Sequence, residues 1–283
     1  STADLTTGGV YNLMAVIDET SDQAAYNDTA ASTVFSLDPV TLPFSDGFET
    51  VGPVTTLNGE STEILNGSEY WRFHHSDDTS TSNPENGRLR FNAGTGFYNN
   101  GSAAATMDIA VTNDTNKLIL DLPIAAPSSS TVGLSFYYMD HGDENHDGDK
   151  VWVRGSHADP WVEVYDLDPE SMTNGNYNYV NGIFINSELA NAGQTLTNEF
   201  QIMFGQSDNG FEATSPTVSD GITFDDILVE EITCPWPTNV TASFVLDTMA
   251  IIDWTPIGTA SNWTIIYDTV GFNPQTGGTS QNS

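Results

Sequence analysis

Hydrophobic residues in this chain recur at every second position in short runs, a period that fits strands and does not build long helices. Leu89 and Phe91 form one run; Leu118, Leu120 and Leu122 another; Val132, Leu134, Phe136 and Tyr138 a third. Val151 and Val153 follow, then Trp161, Glu163 and Tyr165, with Val162 and Val164 on the other face. Ile183 and Ile185, then Phe200, Ile202 and Phe204, then Ile222 and Phe224 complete the series. Turn clusters separate them: Asn-Asn-Gly-Ser-Ala at 99–103, Ala-Pro-Ser-Ser-Ser-Thr at 126–131 and Met-Thr-Asn-Gly-Asn-Tyr-Asn at 172–178. No stretch of helix formers is long enough to supply crossovers. The expected fold is all-β, an antiparallel sandwich of the jelly-roll kind.

Charge narrows the partners. The 283 residues hold 39 acidic and six basic side chains, a formal net charge of -33. Such a surface repels nucleic acid and anionic lipid, and divalent cations would relieve its self-repulsion. The single cysteine, Cys234, allows no internal disulfide and reads as a small packed residue. No apolar run approaches the ~20 residues of a membrane span, so no direct membrane insertion is expected. No signal peptide opens the chain, which is expected to be a mature or internal fragment.

Signatures of catalysis are missing. There is no H-E-x-x-H, G-x-S-x-G or G-x-x-x-x-G-K-[ST], and no G-x-G-x-x-G after a strand. His74 and His75 beside Asp77 and Asp78 read as a polar loop rather than a metal site. Two acidic groups carry more. Asp143, Asn145, Asp147 and Gly148 match the first half of an EF-hand loop, but Arg154 stands where its closing glutamate belongs. With Asp140 and Asp149 they are expected to form a hard-cation cage on a hairpin, or else a solvated acidic turn. The second group is Asp225 and Asp226. If Ile222 and Phe224 face the core, alternation turns Asp226 inward, where a carboxylate needs a partner or a metal; a bulge would turn it outward. Tyr137, Trp152, Trp161, Tyr177 and Tyr179 are candidates for a glycan platform, against ordinary core packing.

Three resemblances organise the chain. Residues 1–40 carry "GGVYNLMAVIDETSDQAAYNDTA", which resembles the closing hairpin of Ig-like adhesion modules in bacterial surface proteins. Residues 41–232 hold "LPFSDGFE", "SFYYMDHGDENHDGDKVWV" and "SDGITFDDILVEE". These resemble MAM-like jelly rolls of secreted Bacteroidetes proteins and share a frame with carbohydrate-binding jelly rolls. Residues 233–283, from "CPWPTNV" onward, resemble the first strands of a fibronectin type III domain. The jelly-roll resemblance implies a structural calcium shared by Glu49 and Asp226, with Asp46 or Asp225 beside them. Thr29, Thr248 and Thr269 lie in Asp-Thr tripeptides similar to the O-glycosylation sequon of that group. The resemblances imply a non-catalytic, calcium-stabilised segment of a modular adhesin, secreted or on the surface of a Bacteroidetes-type cell and exported by the type IX route. They also allow an accessory carbohydrate-binding region of a secreted hydrolase, or a structural spacer in a filament. The expected partners are a glycan or cell-surface ligand and neighbouring modules of the same chain.

Overall fold

A computed structural model describes residues 9–16, 29–50, 57–58, 70–75, 87–91, 96–109, 114–125, 131–141, 146–167, 175–208, 221–233, 235–246, 249–256, 261–268 and 278–282. The chain divides into two compact units, residues 1–127 with 133–230, and residues 128–132 with 231–283.

In the first unit, β1 (Gly9–Val16) and β2 (Thr29–Ser36) make a separate antiparallel hairpin, with Tyr11 opposite Val34. The strands that follow are β3 (Phe44–Asp46), β4 (Leu57–Asn58), β5 (Trp71–His75), β6 (Gly87–Phe91), β7 (Ala105–Ile109) and β8 (Asp114–Asp121). Next come β9 (Thr131–Asp140), β10 (Lys150–Arg154), β11 (Val162–Asp166) and β12 (Tyr177–Phe184). The short helix α1 (Ile185–Asn191), β13 (Gln201–Asp208) and β14 (Ile222–Ile232) complete the set. One sheet runs β11-β10-β13-β8-β5; the other runs β12-β9-β14-β7-β6-β4, with β3 also paired to β14.

Rings from both sheets meet between them, which makes the pair a β-sandwich. Phe204 on β13 lies 4.9 Å from Phe224 on β14, 5.3 Å from Phe136 on β9 and 6.1 Å from Trp71 on β5, centroid to centroid. Phe48 closes one end, 5.3 Å from Trp71 and 5.6 Å from Phe91. All six are fully or almost fully buried. The expected all-β antiparallel sandwich is the fold observed.

Three local readings need correction. Ile185 begins α1 instead of continuing a strand. Trp161, Glu163 and Tyr165 do not share a face through β11. The register slips between Val151 and Trp152, so Val151 faces Tyr165 while Trp152 faces Glu163. That bulge at Val164 turns Tyr165 inward, 6.0 Å from both Phe136 and Tyr138, and leaves Glu163 outside on Lys150 at 3.0 Å. His74 and His75 belong to β5, not to a loop, because the inward alternation of Trp71 and Phe73 carries the strand through them.

The outer face of the larger sheet is polar and still largely buried. Asp108 on β7 accepts from Arg88 Nε at 2.8 Å, Arg88 Nη2 at 2.7 Å and Arg90 Nη2 at 2.5 Å. Beside it Thr106 and Thr223 share a hydroxyl contact of 2.8 Å, and His141 Nε2 lies 2.6 Å from the Thr223 hydroxyl.

In the second unit, β15 (Thr238–Ser243) pairs with β16 (Ile251–Thr255), and β17 (Thr264–Tyr267) with β18 (Thr279–Asn282). Trp254 and Trp263 sit edge to face at 5.8 Å. Among the described residues, no helix is long and apolar enough to cross a membrane.

Phe204→Ala should lower the free energy of urea unfolding by about 3–5 kcal/mol, since it empties the point where four rings converge. Asp108→Asn should cost a similar amount, about 3–5 kcal/mol, because two buried guanidinium groups lose their counter-charge. Equilibrium unfolding of the two variants beside the parent checks both.

Candidate functional site

Along β14 the neighbouring strand changes. Ile222 to Phe224 pair with β7, whereas Ile227 to Val229 pair with β3. Asp225 and Asp226 fall in the gap between the two ladders. Neither partner holds the backbone there, and Asp226 takes φ 47°, a left-handed conformation that aspartate tolerates better than most residues. The extra residue breaks the alternation. Phe224 and Asp225 are both fully buried, Asp226 is half-buried, and Ile227 and Val229 return to the core. The buried carboxylate is therefore Asp225 and not Asp226, covered by the chain that folds over this gap, and Leu228 is only half-buried.

The chain between Phe97 and Ala103 folds over this gap. Asp225 Oδ2 accepts from the amides of Asn99 at 2.7 Å and Asn100 at 3.3 Å, and Oδ1 accepts from the Asp226 amide at 2.7 Å. Asn99 Nδ2 donates to Asp226 Oδ2 at 3.0 Å. Glu49 caps the end of the same turn. Its carboxylate accepts from the Ser102 amide and hydroxyl, each at 2.8 Å, and from the Ala103 amide at 3.1 Å. Ser102, first through its amide and then its hydroxyl, holds the Glu49 carboxyl below the usual carboxylate range. Asp46 is committed as well, to the Phe48 amide at 2.7 Å and to Trp71 Nε1 at 2.8 Å. Gly47 completes the notch. A β-carbon there would stand 3.3 Å from Asp226 Oδ1 and 3.5 Å from Asp225 Oδ1, so both oxygens face the space glycine leaves. Phe48 follows at φ 61°, which concentrates backbone strain on both sides of the notch.

A cation fits these residues in part. Among the described residues, no three acidic, histidine or cysteine side chains converge as a metal cage. Two carboxylates do face one gap, and calcium draws its other oxygen ligands from carbonyls and water.

Next to the notch lies an aromatic edge. β12 is the outermost strand of its sheet, and its register with β9 sets Tyr177 opposite Met139 and Tyr179 opposite Tyr137. The rings of Tyr137 and Tyr179 stack at 4.7 Å and 30°, and Tyr179 is 53% exposed. Tyr177 packs 6.4 Å from Tyr137 and donates its hydroxyl to the Phe97 carbonyl at 2.8 Å. Burial first, then the charges of Asp225 and Asp226, push the Tyr177 phenol up. Tyr177 thus joins the aromatic edge to the acidic notch.

The other candidates lie apart. Trp152 and Trp161 belong to the opposite sheet: Trp152 lies over Gly205, and Arg154 stacks on Trp161 at 4.4 Å. Asp143 and Asn145 lie outside the described residues, as do Cys234, Thr248 and Thr269; Thr29 begins β2. Of the remaining loop acids, Asp140 ends β9 and Asp147 is exposed on a turn. Asp149 points inward, accepting from the Ser207 amide at 2.6 Å and lying 3.3 Å from His146 Nδ1. Reading by sequence missed Phe97, Asn99, Asn100 and Ser102 as parts of the notch. Their one signal was the Asn-Asn-Gly-Ser turn.

No protein-family profile matches the chain, and no curated protein matches it. Solved structures of similar fold include the xylan-binding domain CBM22-1 of Paenibacillus barcinonensis Xyn10C, with 11% identity, TM-score 0.36, and coverage of 67% of this chain and 93% of that one. Another is the module TmCBM61 in complex with β-1,4-galactotriose, with 11% identity, TM-score 0.34, and coverage of 66% and 94%. A third is the K1 cleaved adhesin domain of Lys-gingipain from Porphyromonas gingivalis, with 14% identity, TM-score 0.27, and coverage of 67% and 98%. Likeness at these scores carries no functional information.

Burial raises the Asp225 carboxyl from 3.8 to about 6, against the opposing pull of its amide donors. The folded state then holds the proton more tightly than the unfolded chain. The stability gained is full below pH 3.8 and is lost as pH rises through about 6. With chelator present, the melting temperature should carry a component that falls between pH 4 and 7. Asp225→Asn, which stays neutral, should remove that component, worth about 2–3 kcal/mol by linkage. Parallel melts across that range check it.

Proposed function

We propose that the sandwich is an accessory carbohydrate-binding region acting outside the cell without catalysis of its own, with calcium held at the Asp225–Asp226 notch. The observation that carries this reading is the stacked, half-open pair Tyr137 and Tyr179 on an edge strand. The outer face of the Tyr179 ring, backed by Tyr137, is a flat apolar surface of the kind that packs against the C–H face of a sugar ring. Tyr177, on the same face of β12, extends it toward the Phe97–Ala103 turn. A net charge of -33 favours a neutral glycan over an acidic one. In an adhesin the same platform would serve attachment, so the two roles differ in the parent protein and not in the site. The Bacteroidetes-type surface setting, type IX export and O-glycans at Thr29, Thr248 and Thr269 belong to this proposal and rest on sequence resemblance.

Asp225 and Asp226 would supply carboxylate oxygens to the ion, and Glu49 would hold the overlying turn in place. Bound calcium neutralises Asp225 without a proton and fixes the turn that carries the carbonyl partner of Tyr177. It acts here as a brace for the platform.

The double variant Tyr137→Ala, Tyr179→Ala should bind glycans at least about tenfold more weakly, with its melting temperature little changed, since these rings add contact area outside the core. A neutral-glycan array followed by calorimetry measures this; unchanged affinity would refute the platform. Calcium a hundredfold above its dissociation constant should raise stability by about 2.7 kcal/mol, or about 5–10 °C for a unit of this size. Magnesium should do less, and Asp226→Asn should blunt the response. Identical melts with calcium and with chelator would remove the ion from the proposal.

A further inference from the structure

On the outer face of the smaller sheet, four neighbouring strands each contribute one polar residue to a continuous row. Arg154 of β10 stands opposite Gln201 of β13, which stands opposite Asp121 of β8. Arg72 of β5, opposite Ile119, joins the row diagonally. The side chains are linked as well as aligned. Arg154 Nε donates to Gln201 Oε1 at 2.6 Å, Gln201 Nε2 donates to Asp121 Oδ1, and Arg72 Nε forms an ion pair with Asp121 Oδ2 at 2.6 Å. With strands ~4.8 Å apart, three steps span roughly 14 Å. Trp161 stacks on Arg154 at one end.

At the other end the row opens into a pocket of about 110 Å³. Leu122, Pro123 and Phe200 supply apolar wall, while Arg72, His157 and Glu199 supply polar groups. Asp121 is 4% exposed and fixes Arg72, whose side chain is 28% exposed. A guanidinium has five N–H donors, and the ion pair uses only Nε. Arg72 therefore presents oriented donors to the pocket without having to order itself first. His157 is 53% exposed, with Nε2 3.4 Å from Asp121 Oδ1, and Arg154 Nη1 donates to its carbonyl at 3.0 Å. None of these groups takes part in the tyrosine platform or the acidic notch.

The mixture of groups defines the ligand. Two carboxylates share the pocket with Arg72, so their charges oppose the capture of an anion. Fixed donors beside a carboxylate acceptor and an apolar wall match a vicinal diol, in which one hydroxyl accepts while its neighbour donates. The volume is well below the roughly 300–1,000 Å³ of sites for larger ligands and suits one end of a single sugar unit. We propose that this pocket is a second glycan contact that takes a vicinal diol of a neutral sugar, with Arg72 and His157 donating and Glu199 accepting. The proposal rests on the glycan-binding reading above and extends it to the opposite sheet.

The test is NMR titration of the whole chain with neutral methyl glycosides, following the His157 imidazole, assigned through His157→Gln, and the Tyr179 ring. Both reporters are exposed, so substitution there leaves the core intact. The His157 signal should shift saturably, and should do so equally in the Tyr137→Ala, Tyr179→Ala variant. Glu199→Gln should weaken the binding seen at His157 by about three- to tenfold, the effect of one lost hydrogen bond to a charged group. If Tyr179 responds and His157 does not, the pocket proposal fails while the platform stands. If neither responds, both fail. A His157 shift that Glu199→Gln leaves unchanged also overturns the pocket.

Discussion

One strand, β14, serves two neighbours in succession, and the site depends on that exchange. Along one edge β14 exchanges β7 for β3, with β9 on its other edge, and Asp225 and Asp226 lie where that exchange falls. The gap between the two ladders holds a left-handed residue, Asp226, and sets the Asp225 carboxylate under the Asn99–Ala103 turn. The Asn99–Ala103 turn then has anions to organise it, and its amides supply the donors that a buried carboxylate requires. Gly47 is small because the exchange brings two aspartate oxygens against it. Through Phe97 the same turn reaches Tyr177, so the aromatic edge is tied to an irregularity two strands away.

Charge is arranged with comparable economy. The six cations sit on Arg72, Arg88, Arg90, Lys117, Lys150 and Arg154. Arg88 and Arg90 converge on one buried aspartate, Arg72 pairs with another, Lys150 meets Glu163, and Arg154 lies over a tryptophan. Such pairs contribute little net stability, yet breaking one is costly because a buried charge is left alone. Five of the six cations are thus committed to partners on the outer faces of the two sheets, against 39 acids in the whole chain.

Alternation revealed the sandwich because the core positions of β8, β9 and β13 follow a strict period of two. Leu118 and Leu120, Phe136 and Tyr138, and Ile202 and Phe204 all proved buried. It misplaced what lies at bulges. Val164 reverses the faces of Glu163 and Tyr165, and Asp226 reverses its own assignment with Asp225, since one inserted residue shifts every side chain beyond it. The acids of the notch were visible as types but not as a constellation. Glu49, Ser102 and Asp225 are far apart in the chain, and only the topology of β3, β7 and β14 brings them together. The row from Arg154 to Arg72 was invisible for the same reason: each member is a single outward residue on a different strand.

All six basic residues share a further property, which is that every one lies within a β-strand. Proteases of the trypsin type cut after lysine and arginine, and they require the segment around the cut to leave its fold and lie extended in the enzyme. Five of the six such bonds lie inside a strand, the sixth, Arg154–Gly155, closes β10, and neither the hairpin of β1 and β2 nor anything after Arg154 offers a basic residue at all. Apart from the turn that Arg154 opens, the connections between strands, where a protease would ordinarily begin, contain no lysine or arginine. Such enzymes would cut the other five bonds only after a strand had left its sheet, so opening of the sandwich governs cleavage everywhere but at Arg154.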